Sequence, residues 1–272
     1  MSRRPKNRGS LSHVLVTGAT AAMVRSTLLD IAQGGAAIAL AVRSPEKGEN
    51  LAVALSAAGA TSVTILPFDA ADPDAPSDLV KDASVALGGL DALLVAHGVL
   101  DDQIELEGDS ALLERSLRVN GISAVRVLMD AAQQFEAQGF GTIAAITSGA
   151  GERGRRSTYG YGMGKSMLTT CLSGLRARLH DRGIPVVAVF PCFVDTPMTA
   201  PLPAKMRWIS PESAGQRIHR AMKRGDATLH VPGWWRMALF AARNTPEWIW
   251  KRTRAEERAA DKIRESARYL GP

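Results

Sequence analysis

Tyr161 and Lys165 stand four apart in Tyr161-Gly-Met-Gly-Lys165, and on a helix that spacing puts a phenol and an ammonium on one face. A cation beside a phenol lowers its pKa, which would suit the tyrosine to give or take a proton near neutral pH. Ser148 lies thirteen residues earlier, at the end of an apolar run, where its hydroxyl could hold a substrate oxygen. Near the N-terminus, Thr17-Gly18-Ala19-Thr20-Ala21-Ala22-Met23-Val24 follows another apolar run. A strand, a tight turn and a helix start would set backbone N–H groups and the positive end of a helix dipole against a pyrophosphate. Only Gly18 remains where a dinucleotide fingerprint has three glycines. Arg43 follows the next apolar run in place of the acid that would bind a ribose 2′-hydroxyl, so charge favours NADP(H) over NAD(H). Between Ser148 and Tyr161, Arg153, Arg155 and Arg156 must lie near the mouth of any site. Their forks match the oxygens of a substrate phosphate, and they could equally pair with nearby acids.

These groups need a scaffold. Strand-length apolar runs occur at His13–Thr17, Ala36–Val42, Ser62–Leu66, Ala92–Ala96, Thr142–Thr147 and Val186–Phe190, with a possible seventh at Leu229–Val231. Helical spacing fills Arg25–Gln33, Glu46–Ala58, Ser77–Leu87, Ala111–Gln138 and Ser166–Arg182. The alternation predicts an α/β fold, a doubly wound (Rossmann) parallel sheet of about seven strands with helices on both faces. The expected organisation is a basic tail over 1–12, one dinucleotide-binding reductase domain over 13–231 and a helical extension over 232–272.

The 272 residues, 46% of them hydrophobic and 22% charged, can bury a sizeable core. Two cysteines and five scattered histidines predict neither a disulfide framework nor a metal site. The net charge of +6 sits at the ends: Arg3, Arg4, Lys6 and Arg8 open the chain, and 251–272 carry seven basic against four acidic residues. The body between is nearly neutral, which argues against nucleic-acid binding. No apolar run is long enough to span a bilayer and no export signal is evident, so the expected location is cytoplasmic.

The joint pattern resembles the short-chain dehydrogenase/reductase family from about residue 13 to 231. The resemblance implies that Asn120, Ser148, Tyr161 and Lys165 are the catalytic tetrad. Tyr161 would protonate a carbonyl oxygen, Lys165 contact the ribose and tune the tyrosine, Ser148 orient the carbonyl, and Asn120 hold a proton-relay water. For Asn120 a second reading stays open, that of a polar residue satisfying a distorted helix. The resemblance assigns cofactor contacts to Thr17, Gly18, Thr20, Met23, Arg43, Asp69, Ala96, Gly98, Lys165, Pro191, Val194 and Thr196. Ala96-His97-Gly98 stands where the family has Asn-Ala-Gly. Ala22, Val24 and Cys192 depart from the family's glycines, and Val24 would crowd the phosphates. These departures keep open a nucleotide-binding sensor or scaffold without turnover; a membrane-surface assembly factor is a separate third reading.

Three stretches, from Ala96 to Gln103, Ser148 to Arg155 and Val194 to Thr199, are similar to the subgroup around decaprenylphosphoryl-2-keto-ribose reductase. That likeness implies a keto-sugar on a polyprenyl phosphate as substrate, a flavin oxidase as partner and a homo-oligomer built through the long helices. Finally, Trp234, Trp235, Trp248 and Trp250 fall within 232–254 beside Arg236, Arg243, Lys251, Arg252 and Arg254. Such a segment either lies in the interface of the inner membrane face or closes the substrate pocket or a subunit contact.

Overall fold

The computed structural model describes residues 9–75, 78–192, 194–195 and 209–253. Seven strands, β1 His13–Thr17, β2 Ala37–Val42, β3 Ser62–Pro67, β4 Ala92–Val95, β5 Thr142–Ile146, β6 Val186–Pro191 and β7 Thr228–Val231, form one parallel sheet in the order β3-β2-β1-β4-β5-β6-β7. A parallel sheet is covered on both faces, so its strands read as continuous apolar runs. All six residues of β2 are buried.

The helices are α1 Ala22–Ala32, α2 Pro45–Ala57, α3 Leu79–Leu87, α4 Gln103–Gly108, α5 Ser110–Leu117, α6 Ser123–Gln138, α7 Tyr159–Leu179, α8 Pro211–Arg224, α9 Trp235–Asn244 and α10 Glu247–Trp250. Successive residues of β1 point to opposite faces. Val14 and Val16 pack with Leu28 of α1, Leu55 of α2 and Ile218 of α8. Leu15 belongs to the other core, with Val80 of α3, Leu128 of α6 and Leu168 of α7. Strand order reverses beside β1, which opens a crevice outside the carboxyl ends of β1 and β4.

The expected single helix Ala111–Gln138 is broken. α5 and α6 are joined by a π turn, Arg118–Ile122, which contains Asn120, and such a turn inserts an extra residue into the helical ladder. Two helices were not foreseen. α4 has only six residues and is capped by Asp102, which accepts from the Ile104 N–H at 2.7 Å. α8 starts from Ser210, which accepts from the Ser213 N–H at 3.2 Å, with Pro211 in its first turn. α1 and α8 touch closely: a Cβ on Gly215 would lie 2.6 Å from Ser26 Cβ and 2.7 Å from the Thr27 backbone nitrogen.

Candidate active site

The cofactor turn is built by exclusion of side chains. Gly18 has φ +69°, and a Cβ there would lie 2.5 Å from the His97 backbone nitrogen. No L side chain fits that conformation and that space. Ala21 provides no side-chain cap to α1, so the first-turn N–H groups face outward as donors for an anion. This cradle fits a dinucleotide pyrophosphate. Thr17 is buried, Met23 half-buried and Thr20 exposed at its rim. Val24 corrects the expectation of crowding: it is 0% exposed and packs in the core behind the turn, away from the phosphate side.

Other cofactor candidates line the same edge of the sheet. Arg43 is exposed just past β2, and Asp69, past β3, accepts from the Ala71 N–H at 2.9 Å. Ala96 and Gly98 follow β4; a Cβ on Gly98 would lie 2.8 Å from Asn120 Oδ1 and 3.1 Å from Lys165 Nζ. Pro191 ends β6, and buried Val194 bridges to Ile209. Thr196 lies outside the described residues.

β5 delivers Ser148, whose Oγ accepts from the Ala150 N–H at 3.2 Å. The helix that carries Lys165 starts at Tyr159, earlier than expected, so Tyr161 sits in its first turn. Lys165 is 3% exposed and its Nζ lies 5.8 Å from the centroid of the Tyr161 ring. It donates to the carbonyls of Ile146 and His97, each at 3.4 Å. Burial brings the ammonium down to about 8. The expected lowering of the phenol by the cation is corrected: burial pushes Tyr161 up to about 12, against a smaller downward pull from its hydrogen bond with Ser148. Desolvation sets the direction of the shift.

Asn120 serves the distorted helix. Its Nδ2 donates to the Val99 carbonyl at 2.9 Å and to Ser116 Oγ at 3.3 Å, and its Oδ1 accepts from the Val99 N–H at 3.0 Å. Its amide ties the π turn to the loop after β4. Two positioning residues escaped the sequence reading. Gln103 Oε1 accepts from the Gly160 N–H at 2.9 Å and so caps, from α4, the helix turn that bears Tyr161. His97 is sandwiched between Thr17 Oγ1 at 2.7 Å and Ser123 Oγ at 3.0 Å. Burial, and then the Lys165 charge, bring its imidazole down to about 3, so it is neutral. The signal for His97 was a polar side chain at the end of an apolar strand run; Gln103 left none.

The arginines separate. Arg153 turns away from the reacting groups to Glu247, at 2.7 Å. Arg155 stays close enough to Cys192 for its charge to favour the thiolate, although burial leaves that thiol at about 11. Arg156 is exposed. Tyr159, the other nearby phenol, donates to Glu107 at 2.9 Å and faces elsewhere.

Residues 12–207 match the profile of the short chain dehydrogenases. An uncharacterised oxidoreductase of Mycobacterium tuberculosis is 31% identical over 218 residues, 80% of this chain and 88% of its own. Another from Streptomyces coelicolor is 31% identical over 240 residues, 88% of this chain and 94% of its own. Levodione reductase superposes with a TM-score of 0.74 over 83% of this chain and 97% of its own; at 19% identity the likeness is one of fold.

Proposed function

This chain belongs to the short-chain dehydrogenase family of NAD(P)-binding oxidoreductases, and from that premise we propose that it is an NADPH-dependent carbonyl reductase. The observation that carries the reading is the meeting of Ser148, Tyr161 and Lys165 in the crevice faced by the open N-terminus of α1. NADPH, when bound, supplies the hydride. Gly18 and the first turn of α1 would hold its pyrophosphate, and Arg43 its 2′-phosphate. Tyr161 keeps its proton across the physiological range because its pKa is about 12, so it is present as the donor to a carbonyl oxygen. Ser148 orients that oxygen, and Lys165 lies close enough to stabilise the tyrosinate left behind. Asn120 acts through the π turn.

The proposed substrate is a keto-sugar on a polyprenyl phosphate, supported by the three stretches similar to the decaprenylphosphoryl-2-keto-ribose reductases and by Arg155 and Arg156 as phosphate contacts. A flavin oxidase would supply the ketone. Such a substrate places the enzyme on the inner membrane face. A homo-oligomer through α6 and α7 is supported by the exposed apolar side chains Met129, Met163 and Met167, the last two of which line, with Ile122, a cavity of about 800 Å³. No helix among the described residues is long and apolar enough to cross a membrane.

The test is NADPH oxidation across a panel of ketones that includes a keto-sugar phospholipid, with Arg43→Asp beside the parent. Ketone-dependent oxidation, with preference shifting from NADPH to NADH in the variant, is expected. Binding of NADPH without reduction of any ketone would replace the reductase by a nucleotide-binding sensor.

A further inference from the structure

The C-terminal helices are fastened to the loop between Ser148 and Tyr161. Arg153 donates to Glu247 Oε2 at 2.7 Å and to the Arg243 carbonyl at 3.2 Å, and its guanidinium lies 5.1 Å from the centre of the Trp250 ring. Trp250 Nε1 donates to the Gly154 carbonyl at 3.0 Å, and Arg243 pairs with Glu152 at 3.6 Å. Leu239, 3% exposed, packs so close to the turn after Ser148 that a Cβ on Gly149 would lie 2.9 Å from its Cδ2. These contacts give α9 an inner face, Leu239 with half-buried Trp235, and a fixed outer one.

The outer face is apolar. Trp234 is 51% exposed, Met237 70%, Phe240 64%, and on α10 Trp248 60% and Ile249 38%. At about 100° per residue, Phe240, Met237 and the N-cap Trp234 span an arc of roughly 120° on α9, with exposed Arg236 about 40° beyond its Phe240 end. Lys251 and Arg252 follow α10 and are exposed. The single acid of residues 232–253, Glu247, is bonded to Arg153. Singly exposed apolar residues are ordinary, but five on two consecutive short helices make a patch that marks an interaction surface.

We propose that this outer face docks on an anionic phospholipid bilayer, with Trp234, Met237, Phe240, Trp248 and Ile249 at the headgroup–acyl boundary and Arg236, Lys251 and Arg252 among the headgroups. The charge pattern selects this occupant. Two copies meeting face to face about a two-fold axis would bring the same cationic rims together, whereas an anionic surface neutralises them. The Arg153 fastening then sets the mouth of the site, at the 152–156 loop, beside the lipid surface. That consequence rests on the reductase reading with its lipid-linked substrate; the docking itself does not.

The experiment is flotation of the full chain, loaded with NADPH, on phosphatidylglycerol-containing vesicles and on pure phosphatidylcholine. Flotation with the anionic vesicles, released by salt, is expected. The combined variant Met237→Ser, Phe240→Ser and Trp248→Ser should lose at least tenfold in bound fraction with its circular dichroism unchanged. A parent chain that stays at the bottom with anionic vesicles overturns the proposal, as does a folded variant that floats equally well. So does a variant that only shifts from dimer to monomer in light scattering without altering flotation. A chain that floats yet reduces none of the ketones keeps the docking and loses the reductase. One that reduces soluble ketones without floating loses the docking alone.

Discussion

His97 Nδ1 lies 2.7 Å from the Thr17 hydroxyl and Nε2 3.0 Å from Ser123 Oγ, so both ring nitrogens of this buried imidazole have partners. Ser123 Oγ also lies 3.2 Å from the Val119 carbonyl; with its one proton given to that carbonyl, it accepts from His97 and Nε2 carries the ring proton. Nδ1 is then the acceptor for Thr17. The chain of bonds joins the first residue of the cofactor turn to the π turn that holds Asn120. His97→Phe leaves Thr17 and Ser123 without that partner, and urea denaturation should show a loss of about 2–4 kcal/mol. The same histidine gives an acid dependence. It binds a proton in the unfolded chain near 6.5 but in the folded chain only near 3, so its stabilising share is full above 6.5 and is lost as pH falls toward 3. The difference between the parent and His97→Gln should narrow across that window; a constant difference would mean that the ring is not held neutral.

Lys165 predicts the opposite end of the scale. Its folded pKa of about 8 lies below the ordinary 10.5, so between these values the unfolded chain binds more protons and stability rises with pH. The cofactor-free parent should gain on Lys165→Met as pH rises from 8 to 10.5, read as denaturation midpoints. Parallel midpoints would show that the buried ammonium keeps its ordinary affinity for protons.

Tyr161→Phe removes the proton donor and none of the groups assigned to the phosphates. Turnover should fall roughly 10²–10⁴-fold while NADPH affinity, followed by cofactor fluorescence, stays nearly intact. Tyr159→Phe, which gives up only the bond to Glu107, should be mild. Turnover within a few-fold of the parent in Tyr161→Phe would reassign the donor.

Val24→Gly tests which way the residue faces. With Val24 wholly inside the core, glycine opens a cavity and weakens the helix, for a loss of roughly 2–4 kcal/mol in thermal or urea unfolding. NADPH affinity should not improve. Tighter binding without loss of stability would put the side chain at the phosphates after all.

The departures from the family pattern acquire physical content in this light. Val24 fills the core between α1 and the sheet, while Gly215 on α8 provides a close approach of backbones that no glycine of the cofactor turn announced. Cys192 stands beside Gly149 and Leu239, so it packs against the reaction loop, and its N–H pairs with the Val231 carbonyl at 2.8 Å.

What the sequence determined by itself was local. Apolar periodicity marked the strands, and a spacing of four put Tyr161 and Lys165 on one helical face. Gly18 announced a turn that no side chain can enter. Neighbours along the chain encode such features, because strand alternation and helical rise repeat over a few residues. The tertiary structure alone decided the rest. Burial, a property of the whole fold, moved Tyr161 upward, where the spacing from Lys165 had suggested a lowered phenol. The π turn at Asn120 follows from bonds to Val99, 21 residues away. The cap on the Tyr161 helix comes from Gln103, 57 residues before Gly160. Arg153 found its partner in Glu247, 94 residues on. No periodicity reaches that far; a side chain learns its partner only when packing brings distant segments within hydrogen-bonding distance.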